Sequence, residues 1–138
     1  MSAPGQQRVT LTGHRAYVRA VAVAPDGTWL ATASDDGTAR IWDVGTGQQR
    51  AALTGHDRAV DAVAVSPDGI WLATASHDGT VRIWDTAARR TRVTMRVENT
   101  ILACAWLGTA ELAAAGSAGL YLFDFLPSST AASPFVQH

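Results

Sequence analysis

Apolar and polar positions along this chain come in short blocks, and none has the 3.6-residue spacing of a helix. The nearly continuous apolar run at residues 18–23 predicts a strand covered on both faces. Residues 91–97 alternate polar and apolar side chains, which predicts a strand with one wet face. Pro25-Asp26-Gly27 and Asp36-Gly37 supply turn chemistry between such runs. The pattern therefore predicts an all-β protein of short antiparallel strands.

The pattern also repeats along the chain. Residues 5–43 recur as residues 47–85, with 29 of 39 positions identical by direct count. In the first copy the pattern predicts strands at residues 8–11, 18–23, 29–34 and 38–43. A degenerate third unit has predicted strands at residues 101–107, 111–115 and 120–123. A repeat of this length indicates units that must stack on one another to bury a core.

Each copy carries Gly-His near its start and Trp-Asp at its end, as Gly13-His14 with Trp42-Asp43 and Gly55-His56 with Trp84-Asp85. These marks resemble the WD40 repeat family closely over residues 5–85 and loosely over residues 86–126. The resemblance implies a β-propeller segment of about three four-stranded antiparallel blades, the third degenerate. We expect a partial propeller over residues 1–126, with repeats at about 5–46, 47–88 and 89–126. Residues 127–138 are expected to form a disordered tail.

The resemblance further implies a buried hydrogen-bonded tetrad in each complete blade. A buried imidazole or carboxylate needs such partners, because a buried polar group left unpaired costs roughly 2–7 kcal/mol. Carried over by position, the two tetrads are His14, Ser34, Asp36 and Trp42, and His56, Ser76, Asp78 and Trp84.

The two copies differ mainly in two loops that a propeller would open onto the same rim. These positions form the candidate partner-binding rim: Arg15, Tyr17, Arg19 and Asp35 in the first copy, and Asp57, Arg58, Asp61 and His77 in the second. Loops on a rigid scaffold carry function, and Tyr and Arg are enriched at binding hot spots. The alternative interpretation is drift at exposed positions.

Composition narrows the class of protein. The net charge of −1 argues against nucleic acid and anionic membranes as partners. The single cysteine excludes an intrachain disulfide framework, and the first residues lack the apolar stretch of a secretory signal, so the cytoplasm is the expected compartment. All basic residues are arginines, which hints at a high-GC bacterial source.

No catalytic, cofactor-binding or metal site is predicted. The Ser, His and Asp set is duplicated copy for copy and lacks a nucleophile elbow, so it fits a structural network better than a hydrolase. The Asp-rich turns at residues 35–37 and 67–69 lack EF-hand spacing, and His56 with His77 lacks further zinc ligands. Cys104 lies in an apolar strand and is expected to be a core residue.

Three blades leave a ring incomplete, since closed propellers have four to eight. Either two chains close into a six-bladed homodimer, or the chain is the C-terminal piece of a longer propeller. In a closed ring the strand at residues 5–11 would complete the sheet begun at residues 101–123. Residues 101–108 and 116–125 also resemble the ends of WD40 regions attached to bacterial signalling ATPases of the apoptosis-regulator type.

The expected function is a non-catalytic protein-interaction scaffold whose protein partner the sequence does not identify. The alternative is a ligand-sensing regulatory propeller attached to an upstream ATPase or kinase domain. A third hypothesis is capture of a small ligand or glycan in a central channel.

Overall fold

The computed structural model of the chain describes residues 5–7, 9–97 and 99–125. Within them the chain forms eleven strands and no helix: β1 Val18–Val23, β2 Trp29–Ser34, β3 Ala39–Asp43, β4 Gln49–Leu53, β5 Val60–Val65, β6 Trp71–Ser76, β7 Thr80–Asp85, β8 Arg90–Arg96, β9 Ile101–Trp106, β10 Glu111–Gly116 and β11 Gly119–Asp124. The all-β prediction is confirmed, and the expected tail at residues 127–138 lies outside the described residues.

The strands form three antiparallel sheets in chain order. The first sheet is β1-β2-β3-β4, the second is β5-β6-β7-β8, and the third is β9-β10-β11 with β10 in the centre. Tight turns join neighbouring strands: Gly27 donates its N–H to the Ala24 carbonyl at 2.9 Å, and Gly37 donates to the Ser34 carbonyl at 3.2 Å. Each four-stranded sheet ends in an outer strand that begins the next repeat, so the sheets are offset from the sequence repeats.

The three sheets stack through two apolar cores. Trp29, Ala31 and Ile41 of the first sheet pack against Leu72 and Trp84 of the second. The opposite face of the second sheet packs in the same way against the third sheet and Phe125. Four tryptophans of the first two sheets are buried: Trp29, Trp42, Trp71 and Trp84.

One predicted strand is absent. Residues 9–11 are not part of any strand, contrary to the expectation for residues 8–11. The physical reason is the lack of a strand to pair with, since a lone strand satisfies its backbone groups no better than a loop does. Val9 and Leu11 nevertheless lie beside the first sheet, because a Cβ at Gly47 would come within 3.4 Å of a methyl carbon of each.

Two apolar faces remain open at the ends of the stack. The N-terminal end face belongs to the first sheet and contains Val21, Val23 and Leu30. The C-terminal end face belongs to the third sheet and contains Ala103, Ala105, Ala113, Ala115, Leu120 and Leu122. Val21 is 61% exposed and Leu120 is 70% exposed, so large apolar side chains face solvent at both ends.

Candidate functional site

A chain of hydrogen bonds crosses the second sheet from its rim to its core. The His56 Nδ1 atom lies 3.0 Å from Asp78 Oδ2, and His56 Nε2 lies 2.6 Å from the Thr74 hydroxyl. That hydroxyl also accepts the Trp84 indole N–H at 2.9 Å. The network therefore ties the loop before β5, the β6–β7 turn and two central strands to one another.

The first sheet repeats these bonds. His14 Nδ1 lies 2.9 Å from Asp36 Oδ2, and His14 Nε2 lies 2.6 Å from the hydroxyl of Thr32. The Trp42 indole N–H donates to the same hydroxyl at 2.8 Å. Thr38 closes the turn by donating its hydroxyl to Asp36 Oδ1 at 2.6 Å.

The hydroxyl between imidazole and indole belongs to Thr32 and Thr74, so the expected roles of Ser34 and Ser76 are corrected. Ser34 lies at the end of β2, where its Oγ accepts the Asp36 N–H at 3.1 Å. Ser76 likewise accepts the Asp78 N–H at 3.0 Å and donates to the Ala59 carbonyl at 2.8 Å. Residues two apart in a strand share a face, so the spacing alone cannot choose between the two hydroxyls.

Burial and hydrogen bonding fix the charge states in the second sheet. Desolvation lowers the pKa of His56 despite the hydrogen bond that its Nδ1–H donates to Asp78, so its neutral form is favoured. Burial alone would raise the pKa of Asp78. Hydrogen bonds from the Thr80 hydroxyl, His56 and the Asp57 N–H outweigh that effect and hold the pKa of Asp78 well below its usual range.

The glycine of the Gly-His pair allows the loop to approach the sheet. Gly55 has φ of 145°, and a Cβ there would lie 3.0 Å from Arg82 Nη1. A larger residue would push the loop outward and move His56 away from Thr74 and Asp78. The conformational freedom of glycine is therefore required for the network to close.

The hydroxyl and thiol groups that could act as nucleophiles have structural roles in this geometry. The Thr74 hydroxyl that contacts His56 is completely buried and already accepts the indole N–H, so it is closed to a substrate. Burial raises the pKa of the Cys104 thiol to about 12, which disfavours the thiolate needed for nucleophilic attack. Among residues 5–7, 9–97 and 99–125 no three His, Cys, Asp or Glu side chains are grouped to hold a metal ion.

At the rim, the positions that differ between the copies pair with each other. The register of β1 against β2 shifts between Val18 and Ala20, and that of β5 against β6 shifts between Val60 and Ala62. Arg19 and Asp61 are the bulged residues, and a bulge redirects a side chain away from the regular ladder. Each reaches the turn residue of its own sheet: Arg19 contacts Asp35, and Asp61 contacts His77.

The two pairs carry opposite charge order. Arg19 donates two parallel hydrogen bonds of 2.6 Å to the Asp35 carboxylate. In the second sheet the acid, Asp61, occupies the strand position and the base, His77, occupies the turn position. The hydrogen bond between Arg19 and Asp35 raises the pKa of Arg19 and lowers that of Asp35. In the sequence, the strand position is Arg19 in the first copy and Asp61 in the second, whereas the turn position changes from an acid to a base. This reversal of acid and base is the signal that could have predicted the pairing.

The remaining rim residues surround these pairs. Tyr17 is 76% exposed, and the Arg19 guanidinium carbon lies 5.6 Å from the centre of its ring. Arg15, Tyr17 and Asp35 line one shallow hollow with His14. Asp57 and Arg58 are exposed in the loop before β5. The β2–β3 turn of the first sheet adjoins the loop before β5, because a Cβ at Gly37 would lie 3.5 Å from the Arg58 carbonyl oxygen.

The repeats match the family described as WD domain, G-beta repeat, at residues 5–43 and 47–85. Because the match covers more than half of the chain, this protein belongs to the WD40 family. Domains of this family are generally non-catalytic and bind other proteins, so the chain is assigned to the class of interaction domains.

Curated relatives share a short stretch with this chain. A ribosome biogenesis protein BOP1 homolog of Dictyostelium discoideum is 44% identical over 41 residues, which is 30% of this chain and 5% of that protein. Ribosome biogenesis protein BOP1 of Rattus norvegicus is 49% identical over 43 residues, covering 31% of this chain and 6% of the relative. Ribosome biogenesis protein erb1 of Aspergillus clavatus is 59% identical over 32 residues, covering 23% and 4%. The chain thus matches a very small part of these much longer proteins.

No helix in the described part of the chain is both long and apolar enough to span a membrane.

Proposed function

We propose that this chain is a protein-interaction scaffold that binds a protein partner through the rim formed by Arg15, Tyr17, Arg19 and Asp35 with Asp57, Arg58, Asp61 and His77. The observation that carries the proposal is the pairing at the rim. The two repeats keep the same core residues but differ in the side-chain pair at the rim, which joins strand and turn in each sheet. Both pairs lie on a preorganised surface. Preorganisation favours binding because fewer side chains lose freedom when a partner arrives.

The charges support a partner of mixed polarity. Arg19 and Asp35 already neutralise each other, and Asp61 is hydrogen-bonded to His77, so the rim offers paired polar groups beside the exposed ring of Tyr17. A protein surface with its own acids, bases and apolar groups matches such a rim. A polyanion such as nucleic acid would require an excess of positive charge.

The test is a binding measurement with matched variants. The purified chain is used to capture proteins from a lysate of its source, and captured proteins are identified by mass spectrometry and purified. Tyr17→Ala combined with Arg58→Ala should weaken binding of the true partner at least about tenfold, as expected for loss of hot-spot side chains. Ile70→Ser alters an exposed apolar residue in the turn at the opposite end of the sheets and should leave affinity unchanged.

Binding that survives the rim variant, or that is lost in Ile70→Ser, would contradict the rim as the binding surface. The identity of the partner separates two forms of the hypothesis. A captured ATPase or kinase domain would favour a regulatory propeller over a passive scaffold.

We also propose that the chain functions as a homo-oligomer. Its two end faces expose Val21, Val23, Leu120 and Leu122, each more than half exposed. Apolar faces of this kind mark interaction surfaces in stable soluble proteins.

A further inference from the structure

We propose that the two end faces pair head to tail with those of a second copy, and that residues 9–11 of each copy become the outer strand of the other copy's third sheet. The proposal rests on the homo-oligomer proposed above and specifies its interface. Two copies would then supply six stacked sheets in a closed ring.

The C-terminal end face matches faces that are buried inside the chain. In the third sheet Leu122 pairs with Ala113, just as Ile83 pairs with Ala73 in the second. Leu122 is 67% exposed, whereas Ile83 is completely buried by the neighbouring sheet.

Leu120 stands in the same relation to Val81 of the second sheet, being 70% exposed where Val81 is completely buried. The centre of the C-terminal end face is made of alanine and leucine, while Glu111 and Asp124, which lie opposite each other in the register, occupy one end of the same face. Its residues therefore have the pattern of a face that receives a further sheet.

The N-terminal end face matches the face of the second sheet that packs against the first sheet. Val21 pairs with Thr32 in the first sheet as Val63 pairs with Thr74 in the second. Val63 packs into the core against the first sheet and is 7% exposed, whereas Val21 is 61% exposed. The interface between the first and second sheets thus provides the template for an interface between the third sheet of one copy and the first sheet of another.

The outer strand is a further point of correspondence between the third sheet and the first two. The first two sheets each have four strands, but the described part of the third has three. In the first sheet the outer strand β4 pairs Leu53 with Ala39 and Ala51 with Ile41.

Leu11 and Val9 occupy the positions of Leu53 and Ala51 in the preceding repeat. They line a hollow with Leu30 on the N-terminal end face, so they lie where the outer strand of an incoming sheet would be. By the same register Leu11 should pair with Leu120, and Val9 with Leu122, of the second copy.

A second copy suits both faces better than an unrelated partner. By register, each open face corresponds to one side of the interfaces between neighbouring sheets within the chain. Heterologous contacts of this kind close into a ring when the rotation allows it, and six sheets lie within the four to eight found in closed propellers.

The first experiment measures mass by size-exclusion chromatography with light scattering. The unaltered chain should have about twice its single-chain mass of 14.5 kDa. Val21→Asp and Leu122→Asp should each weaken the dimer at least about 100-fold, because either charge would be buried unpaired. Both side chains are exposed in the single chain, so circular dichroism should be unchanged. Ile70→Asp, which alters an exposed residue outside both end faces, should remain dimeric.

Mixing the two charged variants separates head-to-tail pairing from symmetric pairing. The mixture contains one unaltered N-terminal end face and one unaltered C-terminal end face, so dimers should reappear. A dimer that persists in either variant alone would overturn the pairing of these faces while keeping the homo-oligomer. A monomer of the unaltered chain would overturn both, and a larger assembly would overturn the two-copy ring.

The second experiment tests the register by cross-linking. In a Cys104→Ala background, Leu11→Cys with Leu120→Cys should give a covalent dimer on mild oxidation. Directly opposed strand residues have Cα atoms about 4.5–5.5 Å apart, within disulfide range. Thr10→Cys with Leu120→Cys is the matched control, since residue 10 faces the other side of the strand. Equal cross-linking in both, a cross-link within one chain, or none in a protein of dimer mass would overturn the register.

Discussion

The first and second sheets carry nearly the same sequence and the same hydrogen-bond network, but they differ in how well they are covered. Leu72 is completely buried, whereas the identical residue at position 30 is half-buried. Val63 is 7% exposed and Val21 is 61% exposed. The second sheet lies between two neighbours, while the first has one among the described residues. Exposure in this repeat is therefore set by the neighbouring units, and identical residues contribute differently to stability.

The largest effect on stability should come from truncating Leu72 of the second sheet, compared with its counterpart Leu30 of the first. Leu72→Ala removes a side chain from the core and should destabilise the protein by about 2–5 kcal/mol. Leu30→Ala should cost distinctly less, because its site is open and leaves no closed cavity. Urea unfolding measures both, in a Leu122→Asp background that keeps the end faces unpaired. Equal losses would mean that the N-terminal end face is covered in the folded protein.

A smaller effect should follow from removing the hydroxyl that joins imidazole to indole. Thr74→Val keeps the shape of the side chain but leaves His56 Nε2 and the Trp84 N–H without their shared partner, which should cost about 1–3 kcal/mol. Thr32→Val should cost less, since Thr32 is 8% exposed and water can reach its neighbours more readily.

Ser76→Ala serves as the control within the second sheet. It removes bonds to the Asp78 N–H and the Ala59 carbonyl but leaves the imidazole and indole paired. A loss from Ser76→Ala larger than that from Thr74→Val would contradict the assignment of Thr74 as the bridging residue.

Much of the fold follows from local pattern. The predicted bounds of the strands at residues 18–23 and 29–34 are confirmed, and the strand predicted at residues 38–43 begins one residue later, at Ala39. The expectation that residues 18–23 are covered on both faces is wrong, because Val21 and Val23 are more than half exposed on a face that no sheet of the described chain covers. Apolar runs bounded by Pro, Asp and Gly define these elements without help from tertiary contacts. The degenerate third unit is also found as three strands, because its apolar residues keep the spacing even though its Gly-His and Trp-Asp marks are lost.

What depends on neighbours could not be predicted from local pattern. The strand expected at residues 8–11 requires a partner strand, and residues 9–11 have none in the single chain. The choice of Thr32 over Ser34 depends on how the Trp42 ring crosses the sheet, since both hydroxyls share a face. The contact between Arg19 and Asp35 depends on a bulge that the apolar pattern does not reveal.

The smallest of the three effects concerns pH. The folded-state pKa of His56 is lowered by burial, so below the unfolded pKa of about 6.5 the unfolded chain binds the proton more readily. Stability should therefore fall as the pH drops below about 6.5, until the folded pKa is passed. Asp78, whose pKa is also lowered, adds its own loss only below about pH 4, the usual pKa of an aspartate in an unfolded chain.

Urea unfolding of the unaltered protein and of His56→Gln between pH 7.5 and 5 isolates the His56 contribution. The variant should be less stable at pH 7.5, and its stability should depend less on pH because no imidazole at this position can take up a proton on unfolding. Parallel pH profiles would mean that the buried imidazole of the second sheet gains no proton when the chain unfolds. The lowered pKa inferred from its burial would then be wrong.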